Sequence, residues 1–462
     1  MGKDNLYRAF KREEISKIPW VPFVGVHGGY LIDTPADEYL KSSEKIFEGI
    51  SKAIELYKPD GIPVVFDLQI EAEIFGCELK WSEDYPPSVV SHPLSEGKKL
   101  NDLKIPDEGD GRIPIVMEAL NKLKERFSDV AFYGLVTGPL TLITHLMGPE
   151  LFMKMVLEPE NVIEAIKFAT NVTEKMAEYY SKSEADVVAV VDPMVSQISP
   201  KTFEDFLFNS YVEIFSHIKS LEKFSSFFVC GDARKNIEIM AKTGPDNISV
   251  DENVPISLLR DTTKKYNISF GGNISLATVL LNGTPQLVQK VSSECIYESG
   301  FKGYILSPGC DLPYATPVEN LRAVLEVLNV PLEKIGEYIA KKAEEVHEVE
   351  IEPYIPPDYS SLNNVIVDVF TVDSSTCAAC QYMVGAVKDV EISFNIVPFE
   401  WKEHKLSEKE ALAMMKALNV KQLPSIVIDG EIVFESVVPN REQLLNAIKK
   451  AYENKKFVRR VE

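Results

Sequence analysis

The chain reads as an α/β protein, a (β/α)8 TIM barrel followed by a second, small α/β domain. Three observations predict this. Eight short β-rich runs alternate with long amphipathic segments from residue 20 to about 345. A doubly wound open sheet, the rival arrangement, needs a Gly-rich phosphate turn early in the chain, and none is present. After residue 346 the texture changes to a linker and then to a shorter strand–helix pattern.

The eight runs are VPFVGV (21–26), IPVVF (62–66), AFYGLV (131–136), DVVAVV (186–191), SSFFVC (225–230), NISV (247–250), ISFGGN (268–273) and GYILS (303–307). Between them lie helical segments such as DEYLKSSEKIFEGISKAIELY (37–57) and PENVIEAIKFATNVTEKMAEYYSKS (159–183). These place a barrel over residues 1–346. Residues 347–363 carry two adjacent prolines, several acidic residues and a Ser pair, and read as a linker. The second domain, 364–462, opens with a strand (365–372), a helix (376–390) and a strand (392–399). A helix (407–418), a hairpin turning at Asp429-Gly430 (423–436) and a final helix (440–453) complete it.

Composition narrows the function. The formal net charge of −21 repels phosphate backbones and argues against nucleic-acid binding. No apolar stretch approaches the roughly 18–20 residues that span a bilayer, so no membrane partner is expected. The polar start and six cysteines with no disulfide framework point to a reducing, cytoplasmic home.

Barrel enzymes react at the carboxyl ends of their strands. Those ends are His27, Asp67, Thr137, Asp192, Cys230, Asp251, Asn273 and Cys310. Cys230 and Cys310 end the fifth and eighth runs, and their thiolates can converge over one mouth and suit a soft metal, Zn²⁺ first. The other reading of both is as small buried hydrophobes. Glu71 and Glu73, one turn past Asp67, are either acid–base groups or solvated helix charges. Cys77 and Cys295 read as core fillers, and His92, His145 and His217 as structural.

FFVCG (227–231), GGN (271–273) and YILSPGCDLPYATPVENL (304–321) resemble the uroporphyrinogen decarboxylase superfamily. PDGIPVVFDLQIEAEIFGCEL (59–79), TGPLTL (137–142) and DPMVSQISPKTFEDF (192–206) fit the same pattern, so the resemblance covers about residues 10–345. The decarboxylases grip their substrate's carboxylates with an Arg-rich N-terminal motif. The stretch GVHGGYLID (25–33) has no arginine, although Asp67, a candidate catalytic residue, stands where they keep their pyrrole-binding aspartate. The other branch holds the cobamide-dependent methyltransferases. That resemblance implies methyl transfer between a methylated cobamide on a separate corrinoid protein and a thiol or other small-molecule acceptor or donor, with zinc on Cys230 and Cys310. The family's histidine two residues before the first cysteine is Phe228 here. His27 is the expected substitute ligand, with Asp232, Asp251 and Glu252 as further candidates. Thr137, Asp192, Asp251 and Asn273 are expected to bind substrate.

TCAACQYM (376–383) at a strand-to-helix junction, with LPSIVIDG (423–430) after it, resembles a thioredoxin- or glutaredoxin-like domain. Cys377 at a helix N-terminus favours its thiolate, Cys380 one turn on is the resolving partner, and Pro424 is the redox-supporting proline. Two other functions stay open: a thiol–disulfide oxidoreductase with a ligand-binding barrel, and a tetrapyrrole-type lyase.

Overall fold

In the computed structural model the described residues are 2–345, 353–372, 374, 378–393, 397–406, 408–435 and 437–461. The chain divides into two compact units, Met1–His347 and Glu348–Glu462.

The first unit is built on one parallel sheet. Its strands, in chain and spatial order, are β1 (Gly61–Pro63), β2 (Ala131–Thr137), β3 (Val187–Val191), β4 (Phe224–Val229), β5 (Asn247–Val250), β6 (Ser269–Ile274) and β7 (Tyr304–Pro308). Every neighbouring pair is parallel, and helices fill the connections between consecutive strands. The eighth place is not a strand. Trp20 alone bridges to Leu306 of β7, and its carbonyl accepts from the Asp60 and Gly61 amides at 2.9 and 3.4 Å. Residues 19–21 therefore link the two edge strands and curl the sheet, the Leu306 amide donating to the Pro19 carbonyl and the Val21 amide to the Leu306 carbonyl. The run 21–26 was expected to be a full strand; Pro22 lacks an amide to donate, and Val24 N turns back onto the Pro22 carbonyl at 2.9 Å.

The interior of the curl is filled, not open. Phe23, Phe66, Tyr133, Leu135, Phe228 and Ile305 form its core, and Leu6 and Phe10 of the helix Gly2–Phe10 join the same cluster. That helix sits at the amino ends of the strands, where Lys3 N bonds the Asp129 carbonyl just before β2. Among the described residues no single helix is long and apolar enough to cross a membrane. The apolar pair Pro139–Met147 and Glu150–Leu157 bends by 103°, and the first of the two is buried throughout.

The second unit has a four-stranded mixed sheet. β8 (Val365–Thr371) pairs in parallel with β9 (Phe399–Lys405) and antiparallel with β10 (Ser425–Ile428), which turns through Asp429-Gly430 into β11 (Glu431–Glu435). Both turn residues have positive φ, 48° and 82°, which suits the Asp-Gly pair. Helices Ala378–Ser393 and Arg441–Val461 pack Met383, Val387, Leu444 and Ile448 onto Val367, Val369 and Ile426. The strand expected at 392–399 is displaced. The helix runs on to Ser393, and the strand begins at Phe399 as the edge of the sheet, where FEWKEHK can keep its charges in water.

Candidate functional site

Alternation along β4 decides what faces the interior. Phe227 points outward onto Tyr211 at a ring distance of 4.3 Å, whereas Phe228 points inward onto Phe23 at 4.7 Å. Cys230 continues the inward phase one step past the strand and packs on the aromatic core, as Cys310 does past β7. The two are joined as a disulfide with Cα atoms 6.1 Å apart. Strands β5 and β6 lie between their parent strands, so the pairing spans the mouth. Both cysteines are half-buried, while Cys77, Cys295 and Cys380 are buried.

Carboxylates crowd this pair. The Gly231 amide donates to Asp251, and a Cβ at Gly309 would lie 2.5 Å from Glu252 Oε2 and 3.0 Å from Asp251 Cα, so both carboxylate residues pack close to the turn before Cys310. Burial first, and the Glu252 charge second, push the Asp251 carboxyl well above its usual range. Asp311 accepts from the Gly25 amide at 2.8 Å, and burial raises it strongly too.

The other expected site residues spend their polar atoms on the scaffold. Both ring nitrogens of His27 are engaged, Nδ1 with the Tyr314 carbonyl at 2.8 Å and Nε2 with the Tyr57 hydroxyl at 2.7 Å. No nitrogen is left for a metal in this arrangement. Thr137 binds Glu71 through its amide and hydroxyl, at 3.1 and 2.7 Å. Asp192 accepts from the Leu140 and Thr141 amides and from the Thr141 and Tyr211 hydroxyls, which makes it a cap for the helix Pro139–Met147. Asn273 donates to the carbonyls of Asp251 and Val254 at 2.9 and 2.6 Å. Asp232 is tied to Arg234 at 2.6 Å.

Asp67 meets a residue that the sequence did not single out. Arg112 is buried, donates from Nη1 to Asp67 and from Nε to Glu73 at 2.7 Å, and lies over the Trp81 ring at 4.9 Å. The only signal in the chain is a lone arginine in the acidic turn DEGDGRIP at a helix start. Asp67 is thus half of a buried ion pair, and its remaining oxygen accepts from the Gln69 amide.

Among the described residues no group of three or more His, Cys, Asp or Glu side chains converges as a metal site. The family's histidine position holds Phe228, fully buried. Two soft sulfur donors do meet, and that part of the arrangement fits a soft divalent metal. A cavity of about 470 Å³ lies at the opposite end of the barrel, between Phe10, Lys219, Lys242 and Tyr266, away from both sulfurs.

In the second unit, Cys377 lies outside the described residues. Cys380 is buried in the first turn of its helix, and the Leu423–Pro424 bond is cis. Beneath the sheet His404 Nε2 meets Asp368 Oδ1 at 2.8 Å, both buried.

Comparison with known proteins places the first unit. The profile of the uroporphyrinogen decarboxylase (URO-D) family matches residues 1–329. The methylcobamide:CoM methyltransferase MtbA of Methanosarcina acetivorans is 28% identical over 336 residues, covering 70% of this chain and 96% of its own. The methylcobamide:CoM methyltransferase MtaA of Methanosarcina barkeri is 29% identical over 283 residues, 59% of this chain and 81% of its own. A solved methyltransferase from Methanosarcina mazei superposes with a TM-score of 0.65 at 25% identity, covering 71% of this chain and 98% of that one.

Proposed function

Since the chain belongs to the uroporphyrinogen decarboxylase (URO-D) family, we propose that its barrel transfers a methyl group between a methylated cobamide, carried on a separate corrinoid protein, and a thiol or other small-molecule acceptor. The similarity to methylcobamide:CoM methyltransferases over most of their length supports the reaction class. The observation that carries the reading in this chain is the meeting of Cys230 and Cys310 at the mouth.

As a dithiol the pair would supply two soft sulfur donors of the kind Zn²⁺ takes. Bound zinc supplies a Lewis acid that keeps an acceptor thiol deprotonated near neutral pH. The chain's own residues do the rest. The floor of Phe23, Phe66 and Phe228 excludes water from beneath the sulfurs. The Asp67–Arg112–Glu73 network anchors the long connection that leaves β1 for β2. Asp192 fixes the helix that follows β2. In that transfer the acceptor's sulfur would gain the methyl group as the cobamide substrate's cobalt–carbon bond breaks, the electron pair staying with the cobamide and the acceptor's thiol proton leaving to solvent.

The second unit is read as thioredoxin-like, with Cys377 and Cys380 as a dithiol that keeps the barrel's thiol chemistry reduced. Its support is the TCAACQYM motif (376–383), which runs into the helix Ala378–Ser393, and the order of strands around it.

The deciding experiment measures bound metal and methyl transfer from methylcobalamin to a small thiol in reduced full-length protein, beside Cys310→Ser. We expect about one zinc per chain and thiol-dependent demethylation, both lost in the variant. Turnover of a porphyrinogen, with neither zinc nor demethylation, overturns the reading.

A further inference from the structure

We propose that the exposed apolar face of the helix Glu150–Leu157, at the mouth end of the barrel, is where the protein carrying the methylated cobamide docks. The inference rests on the methyl-transfer reading above, which requires that carrier to bring its cobamide to the mouth.

The helix has little polar surface to offer water. In ELFMKMVL only Glu150 and Lys154 are charged, and they pair with each other at 3.6 Å. One side is spent on the fold, where Leu151 and Met155, four residues apart, are buried. The other side faces solvent. Met153, Val156 and Leu157, three and four residues apart, are 56, 79 and 69% exposed, and Ile163 in the next helix is 47% exposed. A helix that is apolar on both sides is ordinarily covered on both, and a contiguous apolar surface of this kind marks contact with another molecule.

The elements before and after it fix its place. The helix Pro139–Met147 starts directly after β2 and is capped by Asp192 from the end of β3, so it begins at the mouth. The chain bends by 103° into Glu150–Leu157 and then enters the helix Pro159–Lys182, which runs back to the amino end of β3. That helix has 24 residues and rises about 36 Å, against about 23 Å for the seven residues of β2. Its first turn, and the helix before it, therefore stand at the mouth end. The long connection after β1 is tied to the same corner, since Leu94 N bonds the Leu146 carbonyl at 3.0 Å and the Ser95 hydroxyl the Met147 carbonyl at 2.6 Å.

Charge selects the occupant. Glu158, Glu160 and Glu164 are exposed beside the apolar residues, and Glu150 keeps half its side chain in water. The chain as a whole carries a formal net charge of −21. A second copy seated face to face would set these carboxylates against one another, and an anionic membrane would meet the same repulsion. The surface fits a protein with an apolar centre and a rim of lysine or arginine, and the carrier is a separate protein that must come to this end of the barrel.

The test compares two methyl donors on reduced full-length protein. One is free methylcobalamin, and the other is the methylated corrinoid protein of the source cells, isolated by its cobamide absorbance. We expect Val156→Lys with Leu157→Lys to use free methylcobalamin at the unsubstituted rate, while KM for the corrinoid protein rises about tenfold and kcat holds. Glu158→Lys with Glu160→Lys should raise the same KM and flatten its dependence on salt. An unchanged KM in both variants, with transfer intact, overturns the docking surface and leaves methyl transfer standing. Transfer from neither donor in the unsubstituted protein overturns the methyl-transfer reading, and the docking with it. A dimer in sedimentation that Val156→Lys with Leu157→Lys dissolves assigns the face to a second copy. Flotation with phosphatidylglycerol vesicles, lost in the same variant, assigns it to a membrane, and either result overturns the proposal.

Discussion

Both ring nitrogens of His27 are satisfied inside the protein, and burial pulls the imidazole down to about 4. Its unfolded value is about 6.5, so the folded state binds this proton more weakly than the unfolded state does. The stability His27 contributes is complete above pH 6.5 and is lost as pH falls through the window from 6.5 to 4. The shift corresponds to about 3 kcal/mol at most. Urea denaturation at stepped pH should show a decline across that window, and His27→Gln should flatten it. His145, buried and pulled to about 3, keeps the remainder of the slope. An unchanged slope in the variant would show that His27 is not held neutral. Arg112 gives the complementary case. Arg112→Ala leaves Asp67 buried without its cation, and breaking a pair of this kind costs about 3–5 kcal/mol by chemical denaturation. If the loss is near zero, Asp67 is not paired as described.

The helix Pro139–Met147 starts at Gly138 with no side chain of its own as cap, and Asp192 reaches across from the end of β3 to fill that place. Its two amide bonds and two hydroxyl partners are charge-assisted, so Asp192→Ala should cost about 2 kcal/mol, the upper end for a cap, and Asp192→Asn less. Thermal unfolding distinguishes the two substitutions. Local sequence hid this role, because Asp192 is about 50 residues from the amides it caps. The same distance hid the Asp67–Arg112 pair, 45 residues apart. The parallel strands were legible because runs such as VVAVV and FFV are apolar throughout, the mark of burial on both faces. Trp20 was not, since a single bridging residue beside Pro22 leaves no periodic trace, and of the edge strand FEWKEHK only Phe399 falls within the strand expected at 392–399. Cys230 and Cys310 were legible as strand ends, but their direct bond was not. The phase of β4 yields a third prediction. Phe228→His puts an imidazole into an aromatic cage two residues before Cys230, where it should cost about 1–3 kcal/mol in metal-free reduced protein. Zinc should restore the melting temperature if the new nitrogen joins the sulfurs. A melting temperature indifferent to zinc would place residue 228 out of reach.

For the molecule as a whole, two units carry two thiol pairs, and the value of joining them lies in which pair acts on which. Cys230 and Cys310 sit half-buried among carboxylates, and thiolates beside carboxylates are costly unless a cation or a second sulfur neutralises them. In the second unit Cys380 is buried in the first turn of a helix, one turn on from Cys377, whose place at the helix start is the one where amide dipoles favour a thiolate. The proposed direction of exchange is therefore from the second unit to the barrel. In the full chain, Cys377→Ser should leave zinc content and methyl transfer unchanged in excess dithiothreitol, because a small dithiol replaces the missing one. In glutathione buffer poised toward the disulfide, the same variant should fall well below the unsubstituted chain and recover when dithiothreitol is added back. Methyl transfer followed by loss of methylcobalamin absorbance reads both conditions in one cuvette. Equal rates for the two chains in the oxidising buffer would separate the second unit from the barrel's chemistry and assign its dithiol to some other substrate.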